Sequence, residues 1–438
     1  MENTEACKRI VIVGAGFGGL TAAVGLSKRL AWEPGCEIVV IDKNTHHLYR
    51  PWLYEVATGD AAEDKLKIGI ATPYEDIRMH LAPRHVSVEY QEVMGIDWTA
   101  RAVELSDGRK LEFDHLVVAV GAEPDFYGIE GLEQHALPMY TLRQALTVHR
   151  KLVELVEARR RNEIPFIRVL IGGAGPTGVE FACELSDFMR TQVKKGMLGA
   201  GEYSIEMVEA SPRPLQAFHA DMSAWAKARL EKLGIKLLLD TCIKGAHKDH
   251  VVLAPRPLKP GETPDMLLCD FRKEHEKEVT YDLLVWCGGF RANPVVAKLG
   301  LATDARGRIE VDEMLRVKGQ ERVWAVGDCM TLVDPASKRP VPQLAQGAIH
   351  QAELVAENVA SVRSGAALKP YPFPHMHAVV PMGGSWGIAE VFGVRLKGPL
   401  VWFLRLAADT RYFLKTLPFG SAWKLIRAPL TTFRRNNL

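Results

Sequence analysis

The chain has 438 residues, of which 47% are apolar and 25% are charged, and its net charge is +2 at pH 7. This length predicts two or three domains. The composition is that of an ordinary globular protein, and the near-neutral charge argues against a nucleic-acid partner. Charge is uneven along the chain, since residues 395–438 contain nine Lys or Arg residues and one acid. A basic tail on a mildly acidic body indicates a segment that binds a surface.

The seven cysteines do not form a recognisable pattern. Their number is odd, their spacing is irregular, and no two make a CxxC pair. We therefore predict neither a disulfide framework nor a zinc or other metal site, and this cysteine usage fits a reducing compartment. No run of about 18 uncharged apolar residues occurs, so a membrane-spanning helix is not predicted.

The first predicted elements are a strand, "RIVIV" (9–13), a glycine-rich turn, a helix, and a second strand that ends at Asp42. The glycines at the three positions of the GxGxxG pattern are Gly14, Gly16 and Gly19. In this pattern the first glycine permits a tight turn, the second lets the backbone approach a pyrophosphate, and the third allows close contact between helix and strand. The helix N-terminus favours the phosphates, and an acid such as Asp42 binds the ribose hydroxyls.

The same design occurs a second time within "RVLIGGAGPTGVEFACEL" (168–185). Its three glycines are Gly173, Gly175 and Gly178, and Pro176 suits the first position of a helix. The strand "YSIEMVEA" (203–210) brings Glu209 to the place of the ribose acid, which favours NADH over NADPH, although Arg213 nearby weakens that preference. The alternative is two tight turns without nucleotides. Two complete patterns favour two dinucleotide sites.

Three later pieces complete a family pattern. They are "LVVAVGAEP" (116–124), "LLVWCGGFRANP" (283–294) and "RVWAVGDCM" (322–330). Together with the two loops they resemble the flavoproteins with two dinucleotide-binding domains. The resemblance implies FAD in the first domain and NAD(P)H in the second, and it implies that Asp328 holds the ribityl chain of FAD. We therefore expect an α/β fold of two Rossmann-like domains with an amphipathic C-terminal segment.

Two further stretches closely resemble the type II NADH:quinone oxidoreductases, and they are "HLYRPWLYEVATG" (47–59) and "GGAGPTGVEFACEL" (172–185). The resemblance to this family covers nearly the whole chain. This resemblance implies hydride transfer from NADH to flavin, followed by two-electron reduction of a membrane quinone in a respiratory chain, without proton pumping.

The stretch "PQLAQGAIHQA" (342–352) is similar to the AQxAxQ signature of that family, with His350 in place of the second glutamine. Gln346 and His350 lie four residues apart, on one face of a predicted helix. In the family this stretch lines the quinone site, and the helix N-terminus stabilises the reduced flavin. A glutamate after GPTGV, here Glu180, has a proposed part in quinone binding or proton delivery. For Gln346 and His350, an ordinary amphipathic helix remains the alternative. For Glu180, the alternative is a purely structural role, in which the carboxylate stabilises the helix dipole.

An aromatic and basic cluster follows Asp42. Its members are His46, His47, Tyr49, Arg50, Trp52 and Tyr54. They either cover the flavin, contact quinone, or pack under a loop. The tail (398–435) is also aromatic and basic, which suits a helix lying in a membrane interface. We expect a peripheral protein on the cytoplasmic face of the cell membrane. A dimerisation or core-covering helix is the alternative, and a homodimer is left open.

The predicted architecture is an FAD domain in two pieces, residues 1–120 and 290–365, with an NAD(H) domain inserted at 121–289. Residues 366–438 form the membrane-association region. The segment 254–278 is Pro-rich and then charged, and we interpret it as a surface hairpin or flap without chemistry.

Three other functions fit parts of the pattern. A sulfide:quinone oxidoreductase has this scaffold but needs reactive cysteines beside the flavin, which here would have to be Cys183 and Cys329. A soluble NADH-dependent flavoprotein reductase would pass electrons to a protein acceptor but would lack the aromatic basic tail. A non-catalytic flavoprotein would bind both cofactors and sense NADH at membranes.

Overall fold

The computed structural model describes residues 9–30, 35–81, 85–255 and 276–433. The elements of the first part are, in chain order, β1 (Arg9–Val13), α1 (Phe17–Arg29), β2 (Glu37–Ile41), β3 (His46–Leu48), α2 (Leu53–Ala57), α3 (Glu63–Ile68), β4 (Ala71–Pro73), α4 (Tyr74–Leu81), β5 (Val86–Glu89), β6 (Val93–Asp97), β7 (Ala102–Leu105), β8 (Lys110–Glu112) and β9 (His115–Val118).

The middle part begins after a turn at Gly121. Its elements are β10 (Ala122–Pro124), α5 (Leu132–His135), β11 (Leu137–Pro138), α6 (Leu142–Arg160), β12 (Ile167–Gly172), α7 (Pro176–Lys194), β13 (Tyr203–Val208), α8 (Ala220–Lys232), β14 (Lys236–Leu238), β15 (Thr241–Ala246), β16 (His250–Pro255), β17 (Lys277–Thr280), β18 (Leu283–Trp286) and β19 (Phe290–Ala292).

The last part returns to the first sheet and then forms the C-terminal helices. Its elements are β20 (Ile309–Glu310), β21 (Val323–Ala325), β22 (Met330–Thr331), α9 (Ala345–Ser364), β23 (Ala378–Pro381), β24 (Gly387–Val391), β25 (Val394–Gly398), α10 (Leu400–Thr416) and α11 (Phe419–Arg427).

Two five-stranded parallel sheets organise the molecule. The first has the order β21-β9-β1-β2-β5, and the second has the order β11-β18-β12-β13-β14. Their central strands are almost continuous runs of buried apolar residues, as expected where helices cover both faces of a parallel sheet. The expected α/β fold with two Rossmann-like units is therefore confirmed.

The first sheet draws its strands from two separate stretches of chain. β1, β2, β5 and β9 precede the second sheet in sequence, and β21 follows it. This topology is that of one α/β unit inserted into another. The boundaries at residues 120, 289 and 365 stay predictions, because strand membership does not define where a domain ends.

A short antiparallel sheet precedes the C-terminal helices. β23, β24 and β25 pair in sequence order, and α10 packs against all three strands. In the described parts of the chain, no helix is long and apolar enough to cross a membrane. β16 and β17 also pair antiparallel, but most of the predicted flap, residues 256–275, lies outside the described residues.

The cysteines differ from the sequence prediction at one position. Among the described residues, Cys36, Cys183, Cys287 and Cys329 are not in disulfides, but Cys242 is disulfide-bonded. The prediction that the chain has no disulfide framework does not anticipate this bond at Cys242, since residue spacing along the chain does not reveal which thiols the fold brings together.

Candidate active site

The first glycine-rich loop joins β1 to α1 and can be built only from glycine at two points. Gly14 has φ +95°, and a Cβ there would lie 2.4 Å from the carbonyl oxygen of Ala119. A Cβ on Gly19 would lie 1.7 Å from the carbonyl oxygen of Gly14. By contrast, a Cβ on Gly16 would meet no protein atom within 4 Å. The loop is therefore closed against its own strand and open at the helix N-terminus, where a pyrophosphate would bind.

Asp42 closes the other side of this opening. Its Oδ2 accepts a hydrogen bond from the backbone N–H of Ala15 at 2.7 Å, and its Oδ1 accepts from the N–H of Asn44 at 2.8 Å. The acid is thus fixed directly beside the phosphate loop, at the carboxyl end of β2. This position fits a carboxylate that binds ribose hydroxyls.

The second loop joins β12 to α7 and repeats the geometry of the first. Gly173 has φ +99°, and a Cβ there would lie 2.7 Å from the Cα of Gly288. A Cβ on Gly178 would lie 2.1 Å from the carbonyl oxygen of Gly173, whereas one on Gly175 would meet nothing within 4 Å. α7 begins at Pro176, as the sequence predicts. This loop therefore also leaves room for a pyrophosphate at a helix N-terminus.

Glu209 is hydrogen-bonded to the second loop in the same way as Asp42 is to the first. Its Oε2 accepts from the backbone N–H of Ala174 at 2.7 Å, and its Oε1 accepts from the N–H of Ser211 at 2.8 Å. A carboxylate offers roughly four acceptor positions, so two remain for a ribose diol. The Nη2 of Arg213 donates to the backbone carbonyls of Gln216 and Phe218, both at 3.1 Å. Those bonds occupy one arm of the guanidinium that could otherwise meet a 2′-phosphate.

Asp328 lies in a 3-10 turn at the carboxyl end of β21, next to the start of α9. The Nε2 of Gln343 donates to the carbonyl oxygen of Asp328 at 2.7 Å. The backbone N–H of Gly327 donates to the Oε1 of Gln351 at 2.8 Å. A small cleft opens there, lined by Asp328, Met330, Leu332, Val341, Gln343 and Ala348 among others. This cleft fits the expected place of a ribityl chain.

Gln351 and Arg50 are the members of this region whose roles the sequence did not single out. Gln351 is buried and fixes the Gly327–Asp328 turn. The Nη1 of Arg50 donates to the hydroxyl of Tyr140 at 2.5 Å, and its guanidinium lies 4.2 Å from the centre of that ring. Burial raises the pKa of the Asp328 carboxyl, and the positive charge of Arg50 opposes that rise. Arg50 therefore places a positive charge near Asp328, and its position in an aromatic run of the sequence does not reveal this role.

The helix predicted at the AQ stretch begins at Ala345. Gln346 is in its first turn, and both Gln346 and His350 are half-buried. Burial lowers the pKa of His350, so its ring is neutral at pH 7, and its Nδ1 is buried without a hydrogen-bond partner. Its charged surroundings include Arg411 and Lys415 of α10. His350, in the second turn of α9, therefore lies near α10.

Glu180 lies one turn into α7 and connects the second loop to the C-terminal helix. Burial raises the pKa of its carboxyl to about 8, while the positive charge of Arg405 in α10 lowers it. The charge of Glu180 also raises the pKa of the thiol of Cys287, and Cys287 follows β18 beside the second loop. The predicted site residue is thus placed between the nucleotide loop and α10.

Arg405 is a buried cation surrounded by acids. Its Nη2 lies 3.0 Å from the Oε1 of Glu55 in α2, and its Nε lies 3.6 Å from the Oδ2 of Asp409. Asp409 also accepts from the hydroxyl of Tyr49 at 2.5 Å and from the Nε1 of Trp52 at 3.0 Å. Hydrogen-bonded and paired in this way, the buried charges of α10 are compensated by the segment after Asp42.

The aromatic and basic cluster therefore divides into two groups. His47, Tyr49, Trp52 and Tyr54 are buried and contact α10, whereas His46 and Arg50 are half-buried and Arg50 places its charge near Asp328. The hydroxyl of Tyr412 lies 3.0 Å from the Nε2 of His47, whose Nδ1 lies 3.2 Å from the carbonyl oxygen of Ala15. Packing against a C-terminal helix is thus the observed role of most of the cluster.

Comparison with known proteins gives a consistent family pattern. The model of the family described as pyridine nucleotide-disulphide oxidoreductase matches residues 8–352. A curated relative from Staphylococcus aureus, named type II NADH:quinone oxidoreductase, is 28% identical over 420 residues, which cover 95% of this chain and 98% of the relative.

Solved structures share the fold at low sequence identity. An NDH2 from Plasmodium falciparum in complex with NADH has a TM-score of 0.79 at 17% identity, with 97% of this chain and 98% of that chain covered. The sulfide:quinone oxidoreductase of Aquifex aeolicus has a TM-score of 0.73 at 19% identity, with 96% and 92% covered.

Proposed function

The chain belongs to the pyridine nucleotide-disulphide oxidoreductase family, and from this premise we propose that it is an FAD-dependent NADH:quinone oxidoreductase that does not pump protons. The observation that carries the proposal is the duplicated dinucleotide site, in which Ala15 pairs with Asp42 and Ala174 pairs with Glu209. The named relatives with 95% of this chain covered support quinone as the electron acceptor.

The first site would hold FAD. The N–H groups at the start of α1 would bind the pyrophosphate, Asp42 the adenosine ribose, and Asp328 the ribityl chain. When bound, FAD supplies a group that accepts a hydride and returns two electrons. The chain's own contribution is to orient the cofactor, with Arg50 placing a positive charge beside Asp328.

The second site would hold NADH. The N-terminus of α7 would bind its pyrophosphate, and Glu209 would accept from its adenosine ribose. A carboxylate at this place repels a 2′-phosphate, and one arm of Arg213 is occupied by backbone carbonyls. NADH is therefore the expected donor.

The burial of the thiols favours an electron acceptor that is not part of the protein. Cys183 and Cys329 are fully buried, and burial raises the pKa of both thiols and raises that of Cys287 to about 12. Since the thiolate is the reactive form, these cysteines are poor candidates for persulfide chemistry. This disfavours the sulfide:quinone alternative that Cys183 and Cys329 would have to serve.

Quinone would bind near Gln346 and His350 of α9 and Glu180 of α7, since His350 and Glu180 both have charged neighbours in α10. The neutral imidazole of His350 can donate or accept a hydrogen bond at a quinone carbonyl. Glu180, with its pKa near 8, holds a proton at neutral pH and can deliver it to quinone.

The C-terminal helices would attach the protein to the membrane as a peripheral protein. α10 buries Arg405 and Asp409 while its large exposed side chains include Leu400, Phe403 and Leu414. A helix with buried charged residues and exposed apolar residues suits a position in which one side contacts the protein and the other contacts lipid. α11 adds Phe419 and Trp423, which are 73% and 50% exposed, and exposed basic residues that would attract anionic lipid.

The basic residues of the tail favour the cytoplasmic face, where anionic lipids are exposed. A homodimer stays a prediction, which the molar mass of the detergent-free protein by light scattering would test.

The proposed function is tested by stopped-flow spectroscopy on the purified flavoprotein. NADH should bleach the flavin, and subsequent mixing with a short-chain quinone should restore its colour. Sulfide serves as the parallel donor. Bleaching by sulfide and not by NADH would overturn the proposal. Bleaching by NADH without recovery by any quinone would favour a protein acceptor or a sensor.

A further inference from the structure

One face of α7 carries three acids in succession. Glu180, Glu184 and Asp187 follow one another at intervals of four and three residues, so their side chains leave the helix in nearly the same direction. Glu180 is near the second nucleotide loop, and Asp187 pairs at the far end with Arg190. At 1.5 Å rise per residue, the row spans about 10 Å along the helix axis.

Glu184, the middle acid, is buried in a place that disfavours a charge. The residue is 3% exposed, and its Oε2 has no hydrogen-bond partner. The hydroxyl of Tyr54, from α2, is also buried without a partner, and its electrostatic neighbours include Glu180 and Glu184. An unpaired buried carboxylate is costly, and holding a proton removes the cost.

The charged groups around Glu184 also disfavour its ionised form. The groups that shift the pKa of its carboxyl are Glu55 of α2, Glu180 and Asp187 of α7, and Arg405 of α10. Three of these four groups are acids, and Arg405 is already 3.0 Å from Glu55. Carboxyl groups that share one cation in a buried site do not all ionise together.

The outer end of the row is accessible and differently charged. Asp187 has a side chain that is 20% exposed. Groups facing it are Tyr203 of β13, Arg190, and the loop of Gly383, to whose backbone Arg229 of α8 donates. Asp187 is therefore partly exposed and paired with Arg190, whereas Glu184 is buried and its Oε2 has no hydrogen-bond partner.

We propose that this face of α7 conducts the proton that quinone reduction consumes, from Asp187 through Glu184 to Glu180. The inference rests on the proposed function and extends it by assigning Glu184 as a relay. Glu184 acts through Glu180 and does not itself touch quinone.

The reaction balances with one proton taken from solvent. NADH, one proton and quinone yield NAD⁺ and quinol, because the hydride brings two electrons and one hydrogen nucleus. The second hydrogen comes from the O–H bond of Glu180, which breaks as an O–H bond forms on the quinone. Glu184 then transfers its proton to Glu180, and Asp187 passes a proton from solvent to Glu184.

Glu184→Gln keeps the shape of the side chain and removes its ability to relay a proton. We expect oxidation of the reduced enzyme by quinone to slow by about ten-fold or more, the range of general acid catalysis, with the slowing greatest at alkaline pH. Bleaching by NADH should stay at the wild-type rate. Glu154→Gln, on α6 with a side chain that is 66% exposed, is the matched control and should change neither step.

Infrared spectroscopy of the oxidised enzyme gives a readout independent of turnover. The C=O stretching band of a protonated carboxylic acid should be present at neutral pH in the wild type and weaker in Glu184→Gln. If the Gln variant does not fold, Glu184→Asp keeps the acid but shortens its reach, and it should show the same difference between the two half-reactions.

The inference is overturned if Glu184→Gln matches the wild type in both half-reactions, slows both equally, or leaves the infrared band unchanged. These outcomes are distinct from failure of the proposed function. If quinone oxidises wild type and variant alike, only the relay fails. If quinone does not oxidise the wild type at all, the proposed function fails and the relay with it.

Discussion

The hydroxyl of Tyr412 and the Nε2 atom of His47 lie 3.0 Å apart, and this contact joins the C-terminal helix to the first glycine-rich loop. The Nδ1 of the same imidazole lies 3.2 Å from the carbonyl oxygen of Ala15, whose N–H is bound by Asp42. Burial lowers the pKa of His47 to about 4, so the ring is neutral and can donate at Nδ1 and accept at Nε2. The helix proposed to lie on the membrane is thus connected to the proposed FAD ribose acid through two residues, His47 and Ala15.

Tyr412→Phe should weaken FAD binding. The variant leaves the buried Nε2 of His47 without its donor, which should lower the free energy of unfolding by about 1–3 kcal/mol. FAD release on dilution, followed by flavin fluorescence, should become faster than in the wild type. Tyr90→Phe is the control, because Tyr90 is exposed. Equal release from Tyr412→Phe and wild type would contradict the link.

Quinone reduction should decline as the pH rises through about 8. Glu180 must be protonated to act as an acid, and burial raises its pKa from 4.5 to about 8. The protonated form is therefore present below that pH and lost above it. Stopped-flow rates of the quinone step across the pH range measure the effect. A flat profile in the wild type, or the same decline in Glu180→Gln, would rule out this assignment.

The same carboxyl should make stability depend on pH. Between pH 4.5 and about 8 the folded chain holds this proton and the unfolded chain does not, so the stability falls as the pH rises through this window. Glu180→Gln removes this dependence. We expect the melting temperature of the wild type to fall more steeply with pH than that of the variant. Parallel curves would show that Glu180 is not buried as an acid.

Removal of Arg405 should be severely destabilising. Arg405→Ala leaves Glu55 and Asp409 without their cation, and breaking a buried ion pair costs about 3–5 kcal/mol. The loss should shrink at acidic pH, where the acids can take up protons. Denaturant unfolding at two pH values measures it. Arg150→Ala is the control, because Arg150 is more exposed and its contact with Glu63 is near the surface.

The nucleotide loops could be predicted from the sequence because each glycine there answers a local steric demand. Gly14 and Gly173 adopt left-handed backbone conformations, and the acids at the ends of β2 and β13 lie within hydrogen-bond distance of the loops. The buried cluster around Arg405 could not be predicted, because Glu55 and Arg405 are 350 residues apart and only tertiary packing joins them.

The tail shows the same limit in another form. Its composition indicated a surface-binding segment, but composition does not say which charges face inward. In the structure Arg405 and Asp409 turn toward the protein, while Phe403 and Leu414 turn outward. The contacts of Arg405 and Asp409 with the segment around α2 decide which side of α10 faces solvent. That segment lies far away in the sequence.

Attachment to lipid should depend on the exposed aromatic pair of α11. The rings of Phe419 and Trp423 stack with centroids 6.3 Å apart, and both side chains are largely exposed. Replacing both with Ala should weaken binding to vesicles that contain anionic lipid by at least about ten-fold, since each ring would bury apolar area in the interface. Val153→Ala, an exposed apolar position on α6, is the matched control. Because neither ring belongs to the loops or side chains proposed to bind FAD, NADH or quinone, activity with a soluble quinone should be retained. Unchanged vesicle co-sedimentation of the double variant would instead favour the dimerisation alternative for these helices.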